Sequence, residues 1–138
     1  MDDDFTCLRF DYELVHGQPV RSVVGEPAEG CGYWRIGIVT DNGTILISVD
    51  EDTDQVWVSL TAKELTTEDW KPVPFLQDWL GLELGWSWVG INSQGYKDTF
   101  ILSCAGVDPQ WAFVGEGSSL TCYRMTQTRE PLGSHRDE

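Results

Sequence analysis

The sequence predicts a mainly β protein, built as a single antiparallel sheet, a sandwich or a partly open barrel, with one short helix at about residues 75–80. Apolar and polar residues alternate over several short segments, as they do in half-buried strands. Turn signals rich in Gly, Asn, Asp and Pro recur at short, regular intervals between these segments. The chain has 138 residues, which suffices for one domain with a sizeable core.

The N-terminal segment opens the predicted sheet. From Cys7 to Val15 apolar and polar residues alternate, which predicts a half-buried strand, although a helical phase is also present. A turn at residues 16–19 leads to a second short strand from Val20. We expect one β-rich domain over residues 1–126 and a mobile tail over residues 127–138, because the tail lacks an apolar pattern.

A hairpin is the clearest local signal. Asp41-Asn42-Gly43 stands between two runs of β-branched residues, and Asn-Gly supplies the positive φ angles of a type I′ turn. A third apolar run begins at Val56, so these segments predict a three-stranded meander.

The short helix is predicted after two prolines, Pro72 and Pro74, which forbid a regular element across them. Phe75 to Leu80 then carries apolar residues at helical spacing, and Gly81 can end the helix. We expect this helix to pack over the open end of the sheet.

Strands return in the second half of the chain. Leu82, Leu84, Trp86 and Trp88 alternate with other residues, which predicts that they share one face of a strand. If the next strand pairs with it, Tyr96, Asp98 and Phe100 continue an aromatic-rich face that carries one carboxylate. Three further apolar runs separated by turns complete the predicted sheet.

Charge constrains the function more than any motif does. The chain has 9 basic and 23 acidic residues, a formal net charge of -14. Nucleic acid and anionic membranes repel such a chain, whereas a basic protein partner is attracted to it. The same charge also serves solubility. No apolar run approaches the roughly 20 residues of a membrane helix, and the acidic N-terminus does not resemble a signal peptide, so we expect a cytoplasmic protein.

Metal and cofactor sites are not predicted. The four cysteines, Cys7, Cys31, Cys104 and Cys122, form no close pairs of the kind that bind zinc, so we expect reduced thiols. A disulfide between Cys104 and Cys122 requires that their strands be neighbours. Asp50, Asp52 and Asp54 match the start of a calcium loop, but Gln55 replaces its glycine.

The acidic turn is a candidate contact surface for a basic partner. Its carboxylates are those of Asp50, Glu51, Asp52 and Asp54. The alternative is a solvated hairpin tip that keeps an edge strand from aggregating.

Catalytic motifs are scarce. The chain has two histidines, and it contains no Gly-x-Ser-x-Gly elbow or phosphate-binding loop. We therefore expect a non-enzymatic protein without cofactors.

A second candidate site is a shallow aromatic pocket for a small molecule. Trp86, Trp88 and Tyr96 would line this pocket around Asp98, and Asn92 and Gln94 would form its lip. An aspartate on an apolar face needs a hydrogen-bond or charge partner. The alternative is therefore an ordinary core with the aspartate at its rim, hydrogen-bonded to the backbone of the turn.

One segment, residues 80–100, has a distinctive pattern, Leu-Gly-x-x-Leu-x-Trp-x-Trp followed by Asn-x-Gln-Gly-Tyr-x-Asp. The residues that form it are Leu80, Gly81, Leu84, Trp86, Trp88, Asn92, Gln94, Gly95, Tyr96 and Asp98. This pattern resembles one in small uncharacterised bacterial proteins and implies no established activity. In size and acidity the chain also resembles the immunity proteins of bacterial toxin systems.

The sequence thus predicts a non-enzymatic, acidic binding protein of bacterial type. An immunity-type inhibitor of a basic, nuclease-like toxin domain is the first hypothesis, since nucleases present basic clefts to phosphates. A small-molecule-binding module is the alternative, and a protein with no assignable activity is a third. The oligomeric state stays open.

Overall fold

The computed structural model describes residues 8–62, 65 and 69–125, and the predicted tail at 127–138 lies outside them. Within the described residues the chain forms nine strands. They are β1 Ser22–Pro27, β2 Tyr33–Thr40, β3 Gly43–Val49, β4 Val56–Thr61, β5 Lys71–Pro72, β6 Leu84–Gly90, β7 Thr99–Cys104, β8 Trp111–Glu116 and β9 Ser119–Arg124. No helix in this part of the chain is long and apolar enough to cross a membrane.

All nine strands belong to one sheet with the order β4-β3-β2-β9-β8-β7-β6, and β1 joins it by pairing with β2 and β5. Every pair of named strands is antiparallel. The sheet curls into a half-barrel, so the predicted mainly β class is confirmed and its partly open form is the one observed. The two ends of the strand order, β4 and β6, are edges of the curled sheet, and β5, which pairs with β1 alone, is a further edge among the described residues.

The core lies on the inner face of the half-barrel. Its fully buried side chains come from both halves of the sheet and include Ile36, Ile38, Ile45, Ile47, Val56, Val58, Phe100, Leu102, Phe113 and Leu120. Cys104 and Cys122 also face this core, but β8 lies between their strands and both thiols are free. The disulfide considered from sequence is therefore not formed.

The predicted N-terminal strand is wrong over most of its length. Tyr12–Leu14 forms a turn of 3₁₀ helix, because the Asp11 side chain caps it by accepting a hydrogen bond from the Glu13 N–H at 3.1 Å. Among the described residues of this segment, Leu8 forms a parallel bridge to Val58, and the Arg9 N–H donates to the Val58 carbonyl. Cys7 lies outside the described residues.

The predicted hairpin is confirmed as β2 and β3, but its turn differs from type I′. Thr40 pairs with Gly43, so Asp41 and Asn42 form the tip, and of these tip and flanking residues only Gly43 has a positive φ, +126°. The Thr40 hydroxyl donates to the Gly43 carbonyl at 2.8 Å and accepts from the Asn42 N–H at 3.1 Å. These side-chain hydrogen bonds favour a tip that lies one residue earlier than predicted.

The predicted short helix is confirmed as a 3₁₀ helix, Pro74–Trp79, with a proline at its start. Leu76 and Trp79 are buried beneath it. Gly81 follows at φ +86°, a left-handed conformation that favours glycine and ends the helix.

A β-bulge in β6 reverses the predicted face of its tryptophans. Leu84 pairs with Cys104 and Ser87 with Leu102, so Gly85 and Trp86 together stand opposite Ser103. A bulge shifts the alternation by one residue, and beyond it Ser87 and Val89 pair with Leu102 and Phe100, whereas Trp88 pairs with Ile101. The prediction that Leu84, Trp86 and Trp88 share one face is therefore wrong, and Trp86 is 48% exposed.

Serine and glycine make this bulge possible. The Ser103 hydroxyl accepts a hydrogen bond from the Trp86 N–H at 2.8 Å and donates one to the Gly106 carbonyl at 2.9 Å. A Cβ atom on Gly85 would collide with both the Ser103 hydroxyl and the Gly106 carbonyl. Only glycine therefore fits at this position.

Candidate functional site

Three loops converge at one end of the half-barrel, and we call them the acidic loop cluster. They are the β3–β4 loop at 50–55, the β6–β7 loop at 91–98 and the tip of the β8–β9 hairpin at 116–118. The Val56 N–H donates to the Lys97 carbonyl at 2.9 Å, and the Lys97 N–H donates to Gln55 Oε1 at 3.3 Å. These bonds bring the predicted partner-binding turn and the predicted pocket lip next to each other.

Asp54 joins the first loop to the third. Its carboxylate accepts hydrogen bonds from the Gly117 N–H at 3.3 Å and the Ser118 N–H at 2.8 Å. The Ser118 hydroxyl in turn donates to the Glu51 carbonyl at 2.9 Å. Asp54 has a positive φ of +62°, and a Cβ atom on Gly115 would collide with its carbonyl. The backbone of Asp54 therefore packs against β8, and its carboxylate is held by the tip of the β8–β9 hairpin.

Asp50 shapes the first loop from within. Its carboxylate accepts from the Asp52 N–H at 2.8 Å, and its carbonyl accepts from the Asp54 N–H at 2.8 Å. Asp50 and Asp54 therefore have structural roles, whereas Glu51 and Asp52 are exposed. Of the four acids predicted to bind a partner, these two are the ones that present free carboxylates to solvent.

Asn92 organises the β6–β7 loop. Its side-chain oxygen accepts hydrogen bonds from the Gln94 N–H at 2.8 Å and the Tyr96 N–H at 3.1 Å. Its own N–H donates to the Tyr96 carbonyl at 2.9 Å, and Gly95 has a positive φ of +91°. The Asn-Ser-Gln-Gly-Tyr sequence is therefore explained by turn geometry.

Asp98 also closes this loop. One carboxylate oxygen accepts from Asn92 Nδ2 at 3.2 Å, and the other accepts from the Thr99 hydroxyl at 3.0 Å. Its carbonyl accepts from the Gly115 N–H at 2.9 Å. The partners that an aspartate beside an apolar sheet requires are thus two local side chains, not the backbone of the turn as predicted.

The acidic loop cluster concentrates negative charge. It holds one lysine, Lys97, and six carboxylates, those of Asp50, Glu51, Asp52, Asp54, Asp98 and Glu116. Glu116 accepts a hydrogen bond from the Tyr123 hydroxyl at 2.6 Å, and this bond raises the pKa of Tyr123. Exposed apolar residues stand beside these charges, since Ile91 is 62% exposed and Tyr96 is 41% exposed.

The structure does not bring all of the predicted pocket residues together. Trp86 lies at the far end of β6, where its ring is 5.0 Å from that of His16. It stands opposite Ser103, and Ser103 is four residues along β7 from Thr99, roughly 13 Å from the Asp98 end of the strand. Trp88 pairs with Ile101 on the outer face.

Two concave regions lie elsewhere on the molecule. A cleft of about 270 Å³ lies between the Pro74–Trp79 helix and the ends of β8 and β9. A wider depression of about 610 Å³ is lined by residues of β1, β2 and β5, including Glu26, Trp34 and Lys71. Neither is lined by Trp86, Trp88 or Asp98.

Metal binding and thiol chemistry have little support in the described part of the chain. No group of three or more His, Cys, Asp and Glu side chains there could hold a metal ion. Burial raises the pKa of Cys104 and of Cys122 to about 12, so both stay protonated at neutral pH. A protonated, buried thiol is a poor nucleophile.

The convergence of the three loops was missed at the sequence level. Asp54 and Gly117 are 63 residues apart, and no local pattern indicates their hydrogen bond. The one usable signal was the Gly-Glu-Gly run at 115–117, because glycine marks places where backbones approach closely.

Comparison with known proteins agrees with the likeness to an uncharacterised family. No curated protein and no solved structure shows significant similarity to the chain. A family model, described as a family of unknown function (DUF6334), matches residues 1–129 and so includes every strand and all three loops of the acidic loop cluster. The chain therefore belongs to DUF6334, a family of unknown function.

Proposed function

We propose that this protein is a non-enzymatic binding protein whose acidic loop cluster docks onto a basic protein partner. The observation that carries the proposal is that three loops distant in sequence are hydrogen-bonded into one surface with six carboxylates and one lysine. A surface that is already ordered loses little conformational entropy on binding. This favours specific docking over diffuse charge.

Electrostatics supports a partner with a basic cleft. Carboxylates clustered at one end of a domain create a local potential that steers a positively charged partner and raises its association rate. A nuclease binds phosphates in such a cleft. An immunity-type inhibitor of a nuclease-like toxin domain is therefore consistent with this acidic surface. Ile91 and Tyr96 supply apolar contact area beside the charges.

The small-molecule alternative around Asp98 has weaker support. Both carboxylate oxygens of Asp98 already accept hydrogen bonds from Asn92 and Thr99. A ligand would have to replace these bonds to use Asp98 as its polar anchor. The hydrogen bonding of Asp98 therefore favours a structural role in a protein-binding loop.

The test is calorimetric titration of the full chain with purified, catalytically disabled nuclease domains of bacterial toxins, at about 50 and 300 mM salt. The Glu51→Gln/Asp52→Asn variant removes the two exposed carboxylates, and we expect it to weaken binding by about fivefold or more. The matched control, Glu13→Gln/Glu83→Gln, removes two exposed carboxylates outside the cluster and should change affinity less than twofold.

Salt supplies the second criterion, because binding through exposed charges must weaken between the two salt concentrations. The proposal fails if no nuclease domain binds at low salt. It also fails if the control variant loses as much affinity as the cluster variant.

A further inference from the structure

The β6 edge of the sheet is open over five residues, Ser87 to Ile91. The start of β6 is covered, since the Leu84 N–H donates to the Gln18 carbonyl at 2.9 Å and its carbonyl accepts from the Gly17 N–H at 2.8 Å. Among the described residues, no backbone hydrogen bond reaches residues 87–91 from the side opposite β7.

The strand register shows which backbone groups face this open side. The Gly115 N–H donates to the Asp98 carbonyl, so with the observed register the even-numbered residues of β7 bond to β8. Its odd-numbered residues, Thr99 and Ile101, then bond to Gly90 and Trp88. The N–H and C=O groups of Ser87 and Val89 therefore point away from β7, towards the open side.

The side chains of this stretch lack the usual protection of an edge strand. The sequence Ser-Trp-Val-Gly-Ile at 87–91 contains no charge and no proline. Val89 is 37% exposed and Ile91 is 62% exposed. Natural edge strands are commonly protected by lysine, proline or a covering segment, and an edge without these devices is a template for another strand.

The open edge runs directly into the acidic loop cluster. Ile91 follows the last residue of β6 and is the first residue of the loop that contains Asp98. A strand added antiparallel to β6 would place its N-terminal end beside this cluster. Basic residues at that end of the added strand would face carboxylates.

A second copy of this chain fits the edge less well. If two β6 strands paired antiparallel, the cluster of each copy would approach the start of β6 in the other, where Glu83 stands. Each copy also carries a formal net charge of -14. Like charges across an interface oppose association, so charge complementarity favours a basic partner.

We propose that the β6 edge, Ser87 to Ile91, binds an extended, uncharged segment of the basic partner as an added antiparallel strand, with lysine or arginine residues at the N-terminal end of that segment contacting the acidic loop cluster. This inference rests on the proposed function and specifies how the partner binds. Main-chain hydrogen bonds provide the affinity of such strand addition, and the flanking charges fix its direction.

The probe is a fluorescein-labelled peptide, Lys-Lys-Thr-Val-Thr-Val-Thr, whose binding to the full chain is followed by fluorescence anisotropy. Val89→Pro removes the one N–H at the centre of the open edge while leaving the bonds to β7 in place. Val89→Ala is the matched control, because it removes the same side chain and keeps the N–H. We expect the proline variant to bind at least about tenfold more weakly than the alanine variant.

Direction is tested with the reversed peptide, Thr-Val-Thr-Val-Thr-Lys-Lys. An antiparallel strand places its lysines at the cluster only in the first peptide, so the reversed peptide should bind several-fold more weakly. NMR spectra of the backbone amides check that both variants are folded. If Val89→Pro does not fold, the same comparison is made on the wild-type chain with a peptide N-methylated at alternate residues, which should not bind.

The outcomes separate this inference from the proposed function. Equal binding by the proline and alanine variants, or dimers in sedimentation that compete with the peptide, overturns strand addition by a partner. If the nuclease titration succeeds while the peptide fails, the proposed function stands without the edge. If Val89→Pro blocks peptide binding but Glu51→Gln/Asp52→Asn does not weaken it, the edge binds strands and the acidic partner surface is overturned.

Discussion

The edge strands β4 and β6 differ in whether their outward-facing backbone groups have hydrogen-bond partners. At β4 the outward backbone groups have partners, since the Val56 N–H donates to the Lys97 carbonyl at 2.9 Å and the Val58 carbonyl accepts from the Arg9 N–H at 2.7 Å. Arg9 also covers the strand from outside, with its guanidinium 4.3 Å from the Trp57 ring. At β6, residues 87–91 have no such cover in the described part of the chain.

The difference shows that an edge strand of this sheet is protected only where another segment of the chain lies beside it. A row of aromatic rings links the segment covering β4 to the start of β6, through Phe10, Tyr12, His16 and Trp86 at centroid distances of 6.4, 6.4 and 5.0 Å. Beyond Trp86 the row stops and the edge opens. The segment that protects β4 therefore reaches only the beginning of β6, and the open part lies beside the acidic loops.

The largest expected difference in stability comes from replacing one valine by aspartate on each of the two edge strands. Val58 is fully buried, whereas Val89 is 37% exposed. Val58→Asp should lower the free energy of unfolding by about 4 kcal/mol or more, because it buries a carboxylate in the apolar core. Val89→Asp should cost about 1 kcal/mol or less, because its carboxylate reaches solvent. Urea unfolding of both variants measures the contrast, and similar losses would mean that the edges are equally closed.

The positions of the strands were largely predictable from the sequence. Which face of β6 each side chain occupies was not predictable. Alternation in sequence located β2, β3, β4 and the later strands correctly. The bulge at Gly85 and Trp86 depends on the Ser103 hydroxyl and the Gly106 carbonyl, about 20 residues away along the chain. Local periodicity contains no information about such a partner, so Trp86 and Trp88 were predicted to be on the wrong side.

The sequence indicated which acidic residues belong to the candidate site, but it did not indicate that they lie close together. Asp50, Glu51, Asp52 and Asp54 stood out as an acidic turn, and Asp98 as an aspartate in need of a partner. Their proximity arises from the curl of the sheet and from long-range bonds such as that between Lys97 and Val56. Sequence reasoning also gave Asp50 and Asp54 the same partner-binding role as Glu51 and Asp52, although the carboxylates of both are used within the protein.

Amide hydrogen exchange should show the next largest difference between the edges. The Val56 N–H is buried and bonded, whereas the Val89 N–H points to the open edge. We expect the Val89 amide to exchange about 100-fold faster or more than that of Val56, and faster than its neighbours Trp88 and Gly90. Residue-resolved exchange by NMR measures these rates. Equal protection of Val89 and Trp88 would mean that a partner strand already covers the edge.

Thiol modification should report a smaller difference in local opening. Cys104 lies on β7 opposite Leu84, at the covered start of β6, and Cys122 lies two strands further in, on β9. Burial raises the pKa of each thiol to about 12, so both are protonated at pH 8 and react slowly.

In a Cys7→Ser background we expect exposed Cys31 to react first with iodoacetamide, then half-buried Cys122, and buried Cys104 several-fold more slowly than Cys122. Peptide mass spectrometry over time gives the order. Faster modification of Cys104 than of Cys122 would mean that the sheet also opens at the start of β6.

The smallest expected effect lies in the aromatic row between the edges. The Tyr12 hydroxyl is buried and has no hydrogen-bond partner among the described residues. Tyr12→Phe should therefore leave the free energy of unfolding unchanged or raise it by about 1 kcal/mol at pH 7, since removing an unpaired buried hydroxyl relieves a desolvation cost.

The sign with pH follows from the raised pKa of Tyr12, caused first by burial and then by nearby Cys104 and Glu13. The unfolded phenol ionises near its ordinary value of 10.0 and the folded one only at higher pH, so this residue lowers stability as the pH rises above about 10. Urea unfolding at pH 7 and 10.5 should show a smaller alkaline loss for Tyr12→Phe than for the wild type. A loss of stability in the variant at pH 7 would instead mean that the hydroxyl has a partner, and that the aromatic row is held by more than ring packing.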